Sequence, residues 1–344
     1  MRRWLLLVTA LASSAMAVPL PTATVAARGQ TVPVGTAADD AADDPAIWFN
    51  RRTPSASLIV ATDKKAGLYV YGLDGQVRQF VPAGRVNNAD LIDQGRHNVV
   101  VVASDRNDPM QARLRIYRLD TRLGQLQELG VVDAGQGEAY GICLWQDKGR
   151  LQAFSVLKHG VTVQLQLRLT RNGVSATQVR QFTLATQTEG CVVDARTATL
   201  YVGEEDRGIW AFKLNAANDA AAPTLVAATD GSTLVADVEG LALAPLGRRQ
   251  GWLVASSQGD NAYVVYRLPD MTAAGRFRIS GGSLGGTEET DGIELKLGNF
   301  GPGFEQGLLV IQDGDNAPAA QNFKLVSWGD VLRALNLEST GLRQ

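Results

Sequence analysis

Residues 39–48, with the sequence DDAADDPAIW, decide the fold. Two carboxylates, Asp43 and Asp44, precede a proline and the short apolar run Ala46, Ile47 and Trp48. Proline has a fixed φ and no backbone N–H, so within a sheet it suits the beginning of a strand. An apolar run of this length and composition is typical of a strand. The stretch therefore predicts the opening strand of a sheet, with two acids at its start.

Altered copies of this phrase recur along the chain at nearly constant spacing. They begin at Asp44, Asp90, Tyr140, Glu189, Glu239 and Asp291, which are 46, 50, 49, 50 and 52 residues apart. An apolar strand, a charged loop and a further strand follow each copy. Short strands repeating at about 50 residues are typical of propeller blades. The sequence therefore predicts an all-β fold, a six-bladed β-propeller whose opening strands line a central channel.

The first 17 residues have the pattern of a secretory signal peptide. Arg2 and Arg3 precede an apolar run at residues 4–11, and small residues follow at 15–17. The apolar run is too short to span a bilayer, which argues against the alternative of a membrane anchor. We therefore expect a secreted protein, periplasmic or extracellular, that does not associate with a membrane.

The remaining chain is expected to form one domain. Residues 18–38 are predicted to be a loose lead-in, although residues 30–34 can alternatively pair with the last blade and close the ring. Residues 39–344 are predicted to form the propeller, with a short capping helix at 328–337. The net charge of -2 argues against a nucleic-acid-binding surface, and we expect a monomer.

Two cysteines, Cys143 and Cys191, lie a few residues into the opening strands of the third and fourth units. Opening strands of neighbouring blades diverge, and a disulfide requires Cα atoms within about 7 Å. We therefore expect two free, buried thiols, with a disulfide formed after export as the alternative. Neither cysteine has the spacing to arginine of a cysteine phosphatase loop, and no Gly-x-Ser-x-Gly motif is present.

The repeat brings opposite charges to one mouth of the channel. Five of the six residues that begin the copies of the phrase are carboxylates. The loops after the second strands carry Lys64, Lys65, Arg106 and Lys158 in units one to three. In units four to six they carry Glu205, Gln258, Asp313, Asp315 and Asn316. One half of the mouth is therefore predicted to be cationic and the other acidic.

These two halves suit a metal and a phosphate. Calcium takes about six to eight oxygen ligands, which the acidic half supplies, whereas zinc prefers His and Cys. Lysine and arginine bind phosphate as a point charge and as a fork. Metal ions beside such cations are typical of metal-assisted phosphoryl hydrolysis. The alternative is that the acids and lysines are merely solvated charges.

Several segments resemble signatures of the β-propeller phytases, calcium-dependent secreted enzymes that remove phosphate from myo-inositol hexakisphosphate (phytate). They read DDPAIW, TDKKAGLYVY, GRVNNADL, TQTEG, EEDRGIWAF, ADVEGL, ASSQGDNAYVVY, TDGIEL and QDGDNAPAAQNFK, and they span about residues 40 to 328. The resemblance implies several calcium ions at the channel and two phosphate subsites beside them. It implies that the substrate phosphates are held by Lys64, Lys65, Arg106, Tyr140 and Lys158.

The resemblance also implies a set of metal ligands. At the catalytic site these are Glu189, Glu205, Glu239 and Asp291, with Asp237 and Gln258 as further ligands. A buried structural calcium is implied at Asp44, the backbone oxygens of Pro45 and Ala89, and the neighbouring Asp43. A last cluster is implied at Asp313, Asp315 and Asn316. The catalytic set is then Lys64, Arg106, Tyr140, Lys158, Glu189, Glu205, Glu239 and Asp291.

The chain departs from the family pattern at three places. Glycines, Gly285 and Gly286, stand where an additional aspartate is common. Asp315 replaces a common glutamate, and His159 replaces a common acid after Lys158. These differences bear on the number and affinity of calcium ions more than on the reaction.

We therefore expect a calcium-dependent phytase, of the 3-phytase type, that hydrolyses phosphate monoesters by attack of a metal-activated water. Its expected partner is phytate, free or as its calcium salt. Two alternatives remain at this point. One is a calcium-dependent propeller lactonase or esterase, and the other is a non-catalytic, calcium-stabilised propeller that binds anions.

Overall fold

The structure, a computed structural model, describes residues 20–37, 40–95, 98–171, 173–215 and 222–337. The predicted signal peptide lies outside these residues. Within them, no helix has the length and apolar character needed to cross a membrane.

Two short strands precede the repeat, β1 (Thr22–Val25) and β2 (Gly29–Gln30). Blade one consists of β3 (Ala42–Trp48), β4 (Leu58–Asp63), β5 (Gly67–Gly72) and β6 (Val77–Pro82). Blade two consists of β7 (Val86–Asp93), β8 (Val99–Asp105), β9 (Gln111–Asp120) and β10 (Gln125–Gln136). Blade three consists of β11 (Ala139–Asp147), β12 (Arg150–Leu157), β13 (Val161–Thr170) and β14 (Gly173–Thr183).

Blade four consists of β15 (Thr188–Asp194), β16 (Thr199–Glu204), β17 (Gly208–Lys213) and β18 (Thr224–Ala228). Blade five consists of β19 (Val238–Leu246), β20 (Gln250–Ser257), β21 (Ala262–Leu268) and β22 (Thr272–Ile279). Blade six consists of β23 (Ile293–Lys296), β24 (Leu308–Asp313) and β25 (Asn322–Ser327). The helix α1 (Trp328–Ala334) follows, and 3-10 turns lie at Pro54–Ala56 and Gln258–Asp260.

The blades are arranged in a closed ring. The innermost strands β3, β7, β11, β15, β19 and β23 contact one another in this order, and β23 also contacts β3. From β3 to β25, the strands of each blade pair antiparallel and follow chain order outward from the channel. The predicted six-bladed β-propeller is confirmed across the described residues.

A β-bulge interrupts the innermost strands of the first five blades. In β3, Ala42 pairs with Asp63 and Pro45 with Ala61, so three steps along β3 match two steps along β4. The same shift occurs in β7, β11, β15 and β19. A bulge accommodates one extra residue and re-aims the side chains beside it.

The bulges change which residues of the six blades are equivalent, compared with the alignment that the sequence repeat predicts. After the bulge, pairing with the second strand resumes at one residue of each innermost strand. The residue two positions before it is equivalent in the first five blades, and these residues are Asp43, Asn87, Tyr140, Glu189 and Glu239. In blade six Asp291 has the same place before Ile293, which pairs with Ile311. The repeat suggested that Asp44 and Asp90 are equivalent to Tyr140, Glu189, Glu239 and Asp291. The strand pairing shows that they are not, and that Asp43 and Asn87 have the equivalent positions. In blades one and two the sequence repeat aligned the aspartate nearest the apolar run, Asp44 or Asp90. The bulge places the structurally equivalent residue, Asp43 or Asn87, further from that run.

The N-terminal segment closes the ring. β2 pairs with β25 as the outermost strand of blade six, and β1 adds a parallel fifth strand to blade five. Hydrogen bonds continue this pairing from Thr31 N to Phe323 O at 2.9 Å and from Val34 N to Gln321 O at 3.0 Å. The expectation of a loose lead-in is therefore wrong for these residues, since their backbone groups satisfy an otherwise open sheet edge.

Apolar side chains of the blades pack into clusters between neighbouring blades. Between blades five and six, for example, Trp252, Tyr263 and Leu309 pack together with Trp328 and Val331 of α1. Equivalent clusters fill the five other interfaces of the described ring. The apolar second strands that mark the repeat thus supply the core, and the polar strand starts are left at the mouth.

The two cysteines form a disulfide, and the expectation of free thiols is wrong. Cys143 of β11 and Cys191 of β15 are bonded through their Sγ atoms, and their Cα atoms are 5.9 Å apart. The expectation assumed that opening strands diverge, but β11 and β15 contact each other along the channel wall. The bond joins blade three to blade four.

We predict that titration of the denatured, unreduced protein detects no thiol and that titration after reduction detects two. Replacing both residues by serine should lower the free energy of unfolding by about 4 kcal/mol, because the bond closes a loop of 48 residues. Finding two thiols before reduction would contradict the pairing. A single replacement, Cys143→Ser, serves as the control because it removes the same bond and leaves one free thiol.

Candidate active site

Three glutamates of blades four and five converge at the mouth of the channel. Glu189 and Glu239 lie at the bulges of β15 and β19, and Glu205 directly follows β16. Each is buried, and one carboxylate oxygen from each lies within 4.8 Å of the others. Buried carboxylates so close to one another repel unless a cation or protons lie between them.

The cluster fits a metal ion. Oε2 of Glu239 is buried and has no hydrogen-bond partner among the described residues. An unsatisfied buried carboxylate oxygen is costly, and a hard cation would satisfy it. All the donors in the cluster are oxygens, which suits calcium better than zinc.

Burial and mutual repulsion raise the pKa values of these acids. Burial, followed by the charge of Asp43, raises the pKa of Glu189 well above its usual range, and burial followed by Asp291 does the same for Glu239. Burial raises the pKa of Glu205 to about 7, although a 2.6 Å hydrogen bond from Gln187 opposes this shift. Without a metal the cluster therefore favours protons.

Asp291 connects this cluster to blade one. Its Oδ1 accepts a 2.7 Å hydrogen bond from Gln258, and its Oδ2 accepts one of 2.7 Å from Nζ of Lys64. Lys64 is buried and also forms ion pairs with Asp43, at 3.0 Å, and with Asp40. The structure therefore places Lys64 among carboxylates as well as at the cationic half. Its predicted contact with phosphate stays a prediction.

Lys65 and Asp237 occupy the rim. Nζ of Lys65 forms a 3.2 Å ion pair with Asp40, and its side chain is 40% exposed, which leaves it accessible to a ligand. The backbone oxygen of Asp237 accepts a 3.0 Å hydrogen bond from the backbone N–H of Gln258. Burial, followed by Asp206, raises the pKa of Asp237. Both predicted residues are thus brought to the mouth.

Two cations lie against Tyr140. The guanidinium carbon of Arg106 is 5.2 Å from the centre of the Tyr140 ring, and Nζ of Lys158 is 4.9 Å from it. Cations at such distances are attracted by the ring face. Arg106 and Lys158 directly follow β8 and β12, so they belong to the predicted cationic half. Burial, followed by the charge of Glu189, raises the pKa of Tyr140. The ring thus contacts both cations near the acidic half.

Sequence reasoning missed Glu138 and Asn87. Nε of Arg106 lies 3.1 Å from Oε1 of Glu138, and its Nη1 donates a hydrogen bond to Asn87. Asn87 also donates a 2.7 Å hydrogen bond to Glu189. Correct alignment of the bulges would have identified Asn87, because it occupies the same place as Tyr140 and Glu189.

The predicted structural site lies further down the channel. Asp44, Pro45 and Ala89 line a cavity of about 360 Å³, and Oδ2 of Asp44 accepts a 3.1 Å hydrogen bond from the Ala89 N–H. Asp90 lines the same cavity rather than the mouth, because it lies beyond the bulge, three residues after Asn87. It accepts a 2.7 Å hydrogen bond from the Leu144 N–H. Asp44, Pro45 and Ala89 are therefore together, whereas the fourth predicted residue, Asp43, forms an ion pair with Lys64 and does not line this cavity. The calcium that these residues are predicted to hold stays a prediction.

Asp313 has a structural partner. It ends β24, as Asp105 and Glu204 end β8 and β16. Each of these carboxylates contacts a donor on the third strand of its blade, two residues after its own strand partner. The donors are Lys324 for Asp313 at 3.1 Å, Arg115 for Asp105 at 2.7 Å and Trp210 for Glu204 at 2.7 Å. The buried ammonium of Lys324 also donates a 3.2 Å hydrogen bond to Asn316.

The predicted last cluster is thus not purely anionic. Lys324 places a fixed positive charge between Asp313 and Asn316, and the N–H of Ala317 donates a 3.2 Å hydrogen bond to Asp315. A nearby cation lowers the affinity of these oxygens for calcium. The role of Asp313, Asp315 and Asn316 as calcium ligands stays a prediction.

These features define a six-bladed propeller with buried carboxylates and cationic side chains at one mouth. Residues 2–340 match the model of the phytase family. A curated 3-phytase of Bacillus subtilis (strain 168) is 35% identical over 328 residues, which cover 90% of this chain and 85% of that protein. The chain belongs to the phytase family. It is a β-propeller phytase and therefore a phosphoric monoester hydrolase.

We predict that the protein freed of divalent cations by EDTA loses thermal stability as the pH rises from about 4.5 to about 8. Folding raises the pKa of Glu205 from 4.5, and that of Asp291 from 3.8, in both cases to about 7. A raised native pKa contributes stability that is present below the unfolded value and lost as the pH rises through the native value. Melting temperatures at fixed ionic strength measure this loss.

Added calcium should remove most of this pH dependence and raise the melting temperature at pH 8, because a ligand of the native state stabilises it. The variant Glu205→Gln, which cannot ionise, should show a shallower loss in EDTA. Equal melting temperatures in EDTA and calcium at pH 8 would contradict a metal site at these carboxylates.

Proposed function

We propose that this protein is a secreted, calcium-dependent phytase of the 3-phytase type, which acts on phytate as a monomer without nucleic-acid or membrane partners. One observation carries the catalytic part of the proposal. Glu189, Glu205 and Glu239 form a compact oxygen cluster, Arg106 and Lys158 lie against the ring of Tyr140, and Asn87 links Arg106 to Glu189. This arrangement offers a cation site next to a phosphate site.

The residues divide the work by charge. Glu189, Glu205, Glu239 and Asp291 would hold the calcium ions, with Asp237 and Gln258 at the rim. When bound there, calcium would polarise a water nucleophile and would neutralise charge on the phosphoryl oxygens. Arg106 and Lys158 would bind and orient the phosphoryl group, and they counter the negative charge that grows on it during transfer. Tyr140 contacts both cations through its ring.

The depth of the residues indicates how phytate is bound. Lys64 and Arg106 are largely buried, whereas Lys65 is exposed at the rim. The inner cations would therefore contact the phosphate that is cleaved, and Lys65 would contact a second phosphate of the same substrate. Contacts with two phosphates of the same inositol ring favour a polyphosphorylated substrate over a simple monoester, which supports phytate as the substrate.

We predict different defects for the two halves. Lys158→Ala should raise KM and lower kcat, with a loss in kcat/KM of roughly tenfold to a hundredfold, because the lost charge contacts substrate throughout the reaction. Glu205→Gln keeps the size of the side chain but removes a negative ligand. It should chiefly lower kcat at fixed calcium, and higher calcium should restore part of the loss. Initial rates of phosphate release across a calcium titration measure both.

Lys213→Ala is the matched control. It removes one positive charge from the opposite end of blade four, where Nζ of Lys213 contacts Thr199 at 2.9 Å, and it should leave the kinetics unchanged. If excess calcium restores Lys158→Ala but not Glu205→Gln, the assigned roles are wrong.

A further inference from the structure

Asn87 is a neutral amide at a position that is otherwise occupied by ionisable side chains. The bulge aligns it with Asp43, Tyr140, Glu189, Glu239 and Asp291 of the other blades. Its side chain is fully buried. A buried amide needs partners for both its oxygen and its nitrogen, so its contacts show what this position does.

The two ends of the amide contact opposite halves of the mouth. Oδ1 of Asn87 accepts a hydrogen bond from Nη1 of Arg106, in the cationic half. Nδ2 donates a 2.7 Å hydrogen bond to Oε1 of Glu189, in the acidic half. Asn87 therefore joins a phosphate-binding cation to a carboxylate of the metal cluster, although it lies in a different blade from Glu189.

The contacts also fix the orientation of both partners. Arg106 forms an ion pair with Glu138, 3.1 Å from its Nε, and its Nη1 donates a hydrogen bond to Asn87. For Glu189, the amide engages one oxygen and supplies a hydrogen bond without adding negative charge to the crowded cluster. A carboxylate at position 87 would provide no donor to Glu189, and an apolar side chain would remove one hydrogen bond from Arg106 and one from Glu189.

We propose that Asn87 is a positioning residue that holds Arg106 and Glu189 in the geometry needed for phosphate and metal to bind side by side. The proposal rests on the proposed function, since it takes Arg106 as a phosphate ligand and Glu189 as a calcium ligand. Asn87 itself contacts neither substrate nor metal in this account. Its removal should therefore weaken two binding sites at once, each through a different partner.

The test measures the two sites separately and without turnover. Calcium binding is followed by calorimetry in the absence of phosphate, and binding of inorganic phosphate is followed in EDTA. Asn87→Leu has a similar shape and removes both hydrogen bonds. Because each lost hydrogen bond is made to a charged group, each dissociation constant should rise by roughly tenfold.

A double-mutant comparison separates positioning from general damage. In Arg106→Ala the side chain that Asn87 positions toward phosphate is absent. Adding Asn87→Leu to this variant should therefore not weaken phosphate binding further, while calcium binding should still weaken. Interaction between two residues appears as such a failure of additivity. Simple loss of stability would instead weaken phosphate binding in both backgrounds.

Thr199→Val provides the matched control. Its hydroxyl is buried at the far end of blade four, between Thr197 and Lys213, and its removal costs buried hydrogen bonds without touching the mouth. It should lower the melting temperature and leave both dissociation constants unchanged. Asn87→Ser, which is smaller and cannot reach both partners, replaces Asn87→Leu should the leucine variant fail to fold.

The binding measurements distinguish a failure of the proposed function from a failure of the positioning role of Asn87. If the unmodified protein binds neither calcium nor phosphate, the proposed function fails. If it binds both and Asn87→Leu or Asn87→Ser binds them within twofold of the unmodified protein, the positioning role fails. Additive weakening of phosphate binding in the Arg106→Ala background also overturns it.

Discussion

The structure depends on the crowding of buried carboxylates at one mouth of the channel. Glu189, Glu205 and Glu239 approach one another within 4.8 Å in an environment that raises the pKa values of all three. Such a cluster costs stability unless cations compensate it. The chain supplies part of the compensation, with Lys64 between Asp43 and Asp291 and with Arg106 linked to Glu189 through Asn87. Calcium is the proposed source of the rest.

The propeller makes this crowding possible. Blades one to five each contribute a residue from the bulge of the innermost strand, and blade six contributes Asp291 from just before its innermost strand. Each blade also contributes residues from the end of its second strand or the loop after it, so that side chains far apart in sequence meet around one axis. Closure keeps them there, since β2 completes blade six, Gln312 bridges Asp291 and Ala42 by hydrogen bonds, and a disulfide joins β11 to β15. The apolar clusters between blades provide the stability that tolerates an unfavourable mouth.

The repeat predicted the fold because blade periodicity and apolar second strands are local patterns. It also predicted the loop residues Lys64, Arg106, Lys158, Glu205 and Gln258, which the structure places directly after second strands. Asn87 was not predictable in this way, since a bulge shifts register without changing the period. The cysteine pairing and the contact of Lys324 with Asp313 were also missed. Both depend on distances between strands, which a single sequence does not reveal.

The most direct test of the account is phosphate release from phytate by protein dialysed against EDTA, measured before and after calcium is restored. The account predicts little release without the metal and recovery with calcium, because the carboxylates at the mouth then hold the cation that activates water. Magnesium should restore less, since it retains its waters and binds few carboxylates. Undiminished release of phosphate in EDTA would contradict the account.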